Sequence, residues 1–437
     1  MSMRQVVPAA TSMLVVSANL GGAYLFVRAA SATQWHRIGG GFVPVAVLPT
    51  EFTAVKTCRR SVLRMRHDTV VVGAGPAGLA VAATLHDCGV PCTVLEQGDG
   101  VGTAWRARYD SLHLHTARWL SSLPLGRIPR KFGPWVSRDD FVTFLGDYAD
   151  RHGVRHEFGV TLERIDRDDD GWQLQTSRGP RQAGAVVVAT GYCRQPRIPD
   201  WPGRAGFTGS LLHSAEYREP SPYAGRRVLV VGAGNSAADI AVELLRVGAH
   251  VTLSVRTPPN IVRRDTLGVP SQLVGIALGH LPDRAKDPAI RVVRRVAVPD
   301  LTLQGLPAPL DGFSQFLRSQ TIPILDHGFV REIKAGRIRV VAAVTAPAGD
   351  SVELADGSTV RPDVVICATG YRPGLEGMVG HLGVLDGRGR PLARGAATPA
   401  GAPRLFFVGV SVQLSGQVRE IGTEARAVAD AIRHPAN

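Results

Sequence analysis

The chain has 437 residues, 44% of them hydrophobic and 20% charged, with 49 Gly and 30 Pro. That balance excludes a disordered chain, and the lack of heptads or a fixed repeat excludes coiled coils and solenoids. The net charge of +13 does not mark a nucleic-acid binder. The first 66 residues hold eight basic residues against one acid, and the other basic side chains, almost all Arg, are scattered rather than striped.

In chain order, residues 5–27 carry no charge, which invites a membrane or signal reading. Gln5, Pro8, Thr11, Ser12, Ser17 and Asn19 break the run too often for a spanning helix or a signal peptide. Residues 28–66 show neither helical nor strand periodicity. Residues 1–66 are therefore expected to be a poorly ordered extension or a mis-assigned start ahead of Met65, a membrane or export signal being the alternative. The five cysteines (Cys58, Cys88, Cys92, Cys193, Cys367) form no CxxC, so neither a metal site nor a disulfide framework is expected. A reducing, cytoplasmic compartment fits.

Val70–Ala80 reads VVVGAGPAGLA, a buried β-branched strand followed by Gly73-x-Gly75-x-x-Gly78 at a helix start. The first glycine permits the tight turn, the second lets a pyrophosphate approach the backbone, and the third lets helix and strand pack closely. Unpaired N–H groups at the helix start suit a dianion. A second strand over Cys92–Leu95 ends at Glu96, placed to hold a ribose diol. Val228–Asp239 repeats the pattern as VLVVGAGNSAAD, with Gly232, Gly234 and Ala237 in the three fingerprint places and Asn235 and Ser236 at the helix start. Its second strand ends at Arg256 instead of an acid. Arg pairs with a 2′-phosphate that an acid repels, so this unit is expected to take NADPH.

Each half carries a later echo, VVVATGY at Val186–Tyr192 and VVICATGY at Val364–Tyr371, placing Thr190, Gly191, Thr369 and Gly370 beside a cofactor. A hairpin precedes each echo, with turns expected at Asp170-Gly171 and Asp356-Gly357. Leu405–Gly409 reads as one more buried strand and 420–433 as a helix. The expected fold is α/β, with two Rossmann-like dinucleotide-binding domains, for FAD and NADPH, the second inserted in the first. The divisions expected are 67–200 (FAD, first part), 201–330 (NADPH) and 331–437 (FAD, second part, with the C-terminal helix). Residues 269–320 form an excursion that covers the substrate entrance, lies on a membrane surface or is a packing subdomain.

Phe207-x-Gly209-x-x-x-His213-x-x-x-Tyr217 resembles the FxGxxxHxxx(Y/F) signature of flavin-containing monooxygenases, and it lies between the first echo and the second fingerprint as in that family. YDSLHLHT (Tyr109–Thr116), GAGNSAADIA (Gly232–Ala241), SVRTPPNIVRRDTLG (Ser254–Gly268) and TIPILDHG (Thr321–Gly328) resemble the YUCCA-type branch and its bacterial relatives. His115 stands where YUCCA-like chains have His and animal-type enzymes have Asn, whereas Thr116–Trp119 departs from the plant pattern. Gly102 and Trp105 are similar to a GxxW segment near the flavin.

The resemblance implies FAD and NADPH as cofactors and a flavin (hydro)peroxide as oxidant. It implies O₂ and a small molecule as co-substrates, either a 2-oxo acid such as indole-3-pyruvate or a soft nitrogen or sulfur nucleophile. Asn235 and His115 are the catalytic candidates, each with a plainer reading as helix cap or satisfied core histidine. His213 is expected to hold the linker or the NADPH side. Two rivals are an NADPH-dependent disulfide reductase, which needs a cysteine pair facing the flavin, and a flavin-binding sensor without turnover. No nucleic-acid partner and no firm membrane association are expected, and oligomeric state is left open.

Overall fold

A computed structural model of the chain describes residues 33–38, 41–46, 68–266, 268–279, 300–306, 323–411 and 415–434. Two units divide it, Met1–Ser61 and Val62–Asn437. The first unit holds an antiparallel pair, β1 (Thr33–Ile38) and β2 (Gly41–Ala46), with Ile38 opposite Gly41. This departs from the structureless reading of residues 28–66. In the sequence a Gly-Gly dipeptide separates the two segments, a pattern that favours an antiparallel pair more than side-chain alternation does. The rest of the extension lies outside the described residues.

The second unit opens with β3 (Thr69–Val72), every residue of which is buried. α1 (Pro76–Asp87) starts on an extended Gly75 with Pro76 in its first position, where a missing N–H costs nothing. Its Ala-rich sequence is buried from Ala77 through Leu85, as suits a helix covered by neighbours on several sides. β4 (Cys92–Glu96) follows, then the one-turn α2 (Thr103–Arg106) and α3 (Arg138–Arg151). The Ser137 hydroxyl caps α3 by accepting the Asp140 N–H at 3.1 Å, and Asp139 and Asp140 complement the helix start. β5 (His156–Phe158) is followed by an antiparallel meander, β6 (Leu162–Asp168), β7 (Gly171–Thr176) and β8 (Gly179–Ala183), and then by β9 (Ala185–Val188). The first turn of that meander sits one residue earlier than expected. Asp168 pairs with Gly171, leaving Asp169-Asp170 as the connection. Gly171 is required for a different reason: a Cβ there would lie 2.5 Å from the Ala183 carbonyl oxygen.

The chain then leaves this sheet. β10 (Gln195–Pro196) and β11 (Ser210–His213) lead to β12 (Arg227–Val231), α4 (Asn235–Arg246) and β13 (His250–Ser254). Short strands β14 (Ile261–Arg263), β15 (Asp265–Thr266) and β16 (Val269–Pro270) precede α5 (Ser271–Gly279). After the next described stretch come β17 (Ile324–Asp326), α6 (Phe329–Lys334) and β18 (Ile338–Val341). A second meander, β19 (Val344–Ala348), β20 (Ser351–Leu354) and β21 (Thr359–Val360), turns through Asp356-Gly357 as expected and delivers β22 (Val364–Cys367) and β23 (Tyr371–Arg372). Last come α7 (Glu376–Val379), β24 (Leu405–Phe407) and α8 (Gln417–Arg433), whose buried Ile421, Ala425, Val428 and Ile432 face α1.

Two five-stranded parallel sheets result, ordered β24-β9-β3-β4-β5 and β11-β22-β12-β13-β18. Each places its fingerprint strand at the centre, flanked by its own echo strand. β18 and β22 lie beyond residue 330, so the expected boundary there falls inside the second sheet. The chain rejoins the first sheet only at β24. The segments just after the two echoes, β10 and β23, pair with each other, Pro196 opposite Tyr371. Among the described residues, no helix is long and apolar enough to cross a membrane. Of the 269–320 excursion, α5 is anchored by the buried Gln272, which accepts the Ala117 N–H at 3.1 Å and donates to the Ser415 carbonyl at 2.6 Å. Residues 280–299 and 307–322 lie outside the described residues.

Candidate functional site

At the end of β3 the chain turns through Gly73 (φ +105°), whose N–H donates to the Leu95 carbonyl at 2.7 Å. A Cβ on Gly73 would meet the Ala189 carbonyl oxygen at 2.9 Å, and one on Gly78 would lie 1.8 Å from the Gly73 oxygen. Nothing lies within 4 Å of the Cβ position of Gly75, and no side chain caps the start of α1. The turn, the close packing and the open cradle thus fall on the three glycines as expected. Glu96 is buried; its carboxylate accepts the N–H of Ala74 at 2.7 Å and of Gly98 at 2.8 Å. Any ribose contact therefore shares that carboxylate with two backbone groups. Gly102 adopts a left-handed conformation (φ +71°) and donates its N–H to the Ala74 carbonyl at 3.0 Å, while Trp105 packs edge-on against Phe141. In the first echo, the buried Thr190 hydroxyl has no hydrogen-bond partner. An open cradle, an uncapped helix start and an orphaned hydroxyl beside Gly73 fit a bound dinucleotide.

The second cradle copies the first. Gly232 (φ +122°) donates to Ser254, and a Cβ there would meet the Ala368 carbonyl oxygen at 2.4 Å. The alanine of each ATG echo therefore presses its carbonyl against the first fingerprint glycine. The Cβ position of Gly234 is open, and α4 has neither a side-chain cap nor an acid in its first turn. Ser236 lies in that turn and is half-buried. Arg256 is exposed just past β13, free of the sheet. Thr369 donates its hydroxyl to the Arg197 carbonyl, and Gly370 has φ +82°. This set fits a second dinucleotide on the same grounds as the first.

The signature motif is used for packing and orientation. Phe207 packs with Leu211 on the sheet face formed by Val365 and Cys367, and a Cβ on Gly209 would meet the Asp363 carbonyl oxygen at 2.8 Å. His213 is buried; its Nδ1 accepts the Ala215 N–H at 3.0 Å, so its Nε2–H donates to the Gly370 carbonyl at 3.0 Å. Only a neutral ring fills both roles, and burial lowers its pKa accordingly. His213 thus fixes the second echo. Tyr217 is fully buried, stacks on Tyr223 and donates to Glu243 Oε2 at 3.0 Å. Arg108 joins both echoes, donating to the Cys193 carbonyl at 3.0 Å and to the Tyr371 hydroxyl, with its guanidinium 4.5 Å from the Tyr371 ring centroid.

Asn235 does not cap α4. Its Nδ2 donates to the Pro323 carbonyl at 3.1 Å and its Oδ1 accepts the Leu325 N–H at 2.9 Å, stitching the helix start to β17. His115 donates through Nε2 to Asp239 Oδ2 at 3.0 Å. Asp239 was absent from the sequence reading, yet it is the hub of this region. Tyr109 donates to its Oδ2 at 2.8 Å, and His327 Nε2 lies 2.9 Å from its Oδ1. Burial opposes its ionisation, but the two histidines overcome this and hold the carboxyl below the usual range. Burial, reinforced by Asp239, drives the Tyr109 hydroxyl well above its ordinary value, so it stays a donor. The signal that reveals Asp239 is spacing: Asn235, Asp239 and Glu243 recur every four residues, one polar stripe along a helix otherwise buried.

The described cysteines are free thiols. Cys92 lies at the start of β4, and burial pushes its thiol up to about 11; burial likewise raises Cys193 to about 11 and Cys367 to about 12. Redox thiols need the opposite shift, so burial leaves these three thiols unactivated. No group of described His, Cys, Asp and Glu residues is arranged to hold a metal.

Residues 70–268 match the family model described as pyridine nucleotide-disulphide oxidoreductase. The chain is 36% identical over 323 residues to indole-3-pyruvate monooxygenase YUCCA1 of Oryza sativa subsp. japonica, covering 72% of this chain and 79% of that protein. It is 35% identical over 314 residues to indole-3-pyruvate monooxygenase YUCCA6 of Arabidopsis thaliana, covering 69% and 75%. Among solved structures, a flavin-containing monooxygenase from Stenotrophomonas maltophilia superposes with a TM-score of 0.63 at 25% identity, covering 83% of this chain and 98% of that one.

Proposed function

The chain belongs to the YUCCA-type family of flavin-dependent monooxygenases, enzymes of FAD and NADPH, and we propose that it oxidatively decarboxylates a 2-oxo acid of the indole-3-pyruvate class. In this reading the first parallel sheet is a Rossmann-like FAD domain formed by residues 68–196 and 371–434. The second is a Rossmann-like NADPH domain nested within it, formed by 210–367. The reaction joins one O₂, one NADPH and one proton to the 2-oxo acid and yields the shortened carboxylic acid, CO₂, water and NADP⁺. FAD supplies the two-electron redox chemistry and the activation of O₂.

The chain's own residues bind and orient. Gly75 and Gly234 admit the two pyrophosphates to the helix starts, whose N–H groups carry no side-chain cap. Arg256 meets the 2′-phosphate from its exposed position past β13. Arg108, His213 and the β10–β23 pair hold the two echoes in fixed relation, which sets where the two cofactors meet. Asn235 positions the 323–325 backbone, and His115 brings a titratable ring to the same helix. The free, protonated thiols suit a reducing cytoplasmic setting.

The observation that carries this reading is the pair of open glycine cradles, each closed behind by the alanine carbonyl of its own echo. The test is turnover by purified yellow protein of NADPH and O₂ with indole-3-pyruvate and phenylpyruvate. One CO₂ per NADPH is expected. NADPH oxidation that returns all its electrons as H₂O₂, whichever acid is added, would overturn it.

A further inference from the structure

We propose that Asp239 is a positioning residue that fixes the tautomers of His115 and His327 and makes Nδ1 of His115 the proton-carrying atom of this site. Three groups converge on one carboxylate: Tyr109 and His115 on Oδ2 at 2.8 and 3.0 Å, and His327 on Oδ1 at 2.9 Å. They come from two places in the chain, the loop before α3 and the loop after β17, and meet on the polar stripe of α4. An ionised carboxylate only accepts, so all three partners must donate. Each neutral imidazole then carries its hydrogen on Nε2 and leaves Nδ1 with a lone pair. Among the described residues, Nδ1 of His115 has no hydrogen-bond partner, and the ring is partly open to its surroundings. A proton taken up by His115 therefore enters at Nδ1 and leaves from it, while Asp239 balances the charge across the ring.

The charged and titratable groups around this carboxylate reinforce the arrangement. Arg264, stacked 4.3 Å over Trp135, adds positive charge to Asp239 from the β14–β15 segment and favours the ionised form. Glu243, one turn along α4, is engaged by Tyr217 and adds opposing charge. Tyr109 keeps its proton, so it contributes a hydrogen bond and no charge. His327 and His115 share this one counter-ion, each on its own carboxylate oxygen.

Imidazole nitrogen NMR on the full-length protein tests this, with His115→Gln and His327→Gln variants to assign the two rings among the 13 histidines. In the wild type both neutral rings are expected as Nε2–H tautomers. In Asp239→Asn the amide offers its own N–H, so at least one ring should switch to Nδ1–H. kcat/KM for the 2-oxo acid should fall in the same variant. An Nδ1–H tautomer on His115 in the wild type, or Nε2–H tautomers kept on both rings in Asp239→Asn, overturns the assignment. Should Asp239→Asn fail to fold, the wild-type tautomers alone decide. The effect on turnover rests on the reading under Proposed function, whereas the tautomers do not. Nε2–H rings in a protein that fails to decarboxylate would sink that reading and leave this one standing.

Discussion

The two glycine cradles are built on one plan and used differently. In both, the first glycine is pressed by an alanine carbonyl and the second faces open space. They part at the third position and along the helix behind it. Gly78 has no room for a methyl group, because Gly73 stands 1.8 Å from where it would go, whereas Ala237 carries one and is fully buried. Behind Gly78, α1 is apolar and enclosed by the sheet, α3 and α8. Behind Ala237, α4 carries Asn235, Asp239 and Glu243, each bonded to a different part of the chain. The first helix serves as core; the second doubles as the frame on which the polar site is strung.

The largest expected effect breaks the symmetry at the third position. Gly78→Ala should cost at least about 3 kcal/mol, because the clash is with backbone that cannot rotate away, and soluble yellow protein should be lost. Ala237→Gly should cost only about 1 kcal/mol, the helix-propensity penalty, with both cofactors still bound in spectroscopic titrations. Next come the open positions. Gly75→Ala and Gly234→Ala meet no atom of the chain, so the melting temperature without cofactor should stay put. The former should lose FAD on gel filtration, and the latter should raise the KM for NADPH. A bound flavin unaffected by Gly75→Ala would show that the pyrophosphate does not approach there.

Arg256→Ala should lower the preference for NADPH over NADH about ten- to a hundredfold, the worth of one charge-assisted bond, with kcat unchanged. Equal discrimination in both proteins would move the 2′-phosphate contact to another cation. The smallest effect concerns Glu243, whose carboxyl is raised above its ordinary 4.5 by burial despite the Tyr217 hydrogen bond. A raised acid contributes stability that is present below its unfolded pKa and lost as pH rises through the folded value. Glu243→Gln should therefore melt slightly higher than wild type at pH 8, with the gap closing below about pH 4.5. A gap that widens on acidification would contradict the sign.

What was legible in advance is what the chain repeats locally. A β-branched strand, spaced glycines, a helix and a second strand identify each cradle because their contacts join near neighbours. Both meanders and the final strand and helix were visible for the same reason. The polar hub was not. His115 and Asp239 are 124 residues apart, and a carboxylate at one end of that separation carries no local mark beyond the four-residue stripe. Nor does any local mark tie β22 to its sheet, since that echo strand shows its allegiance only by pairing with β12. The partners of Asn235 were hidden for the same reason: Pro323 and Leu325, on either side of Ile324, lie about 90 residues along the chain.

The return of the chain at β24 also sets the timetable of synthesis. Strand β9 leaves the ribosome with one edge unpaired, and its partner follows roughly 200 residues later. At about 5–20 residues per second that edge waits some 10–40 s. A nascent chain halted before Leu405 presents the open rim of a hydrophobic strand, the kind of surface that recruits other chains. Losing the last thirty-odd residues should therefore yield aggregates instead of a trimmed enzyme.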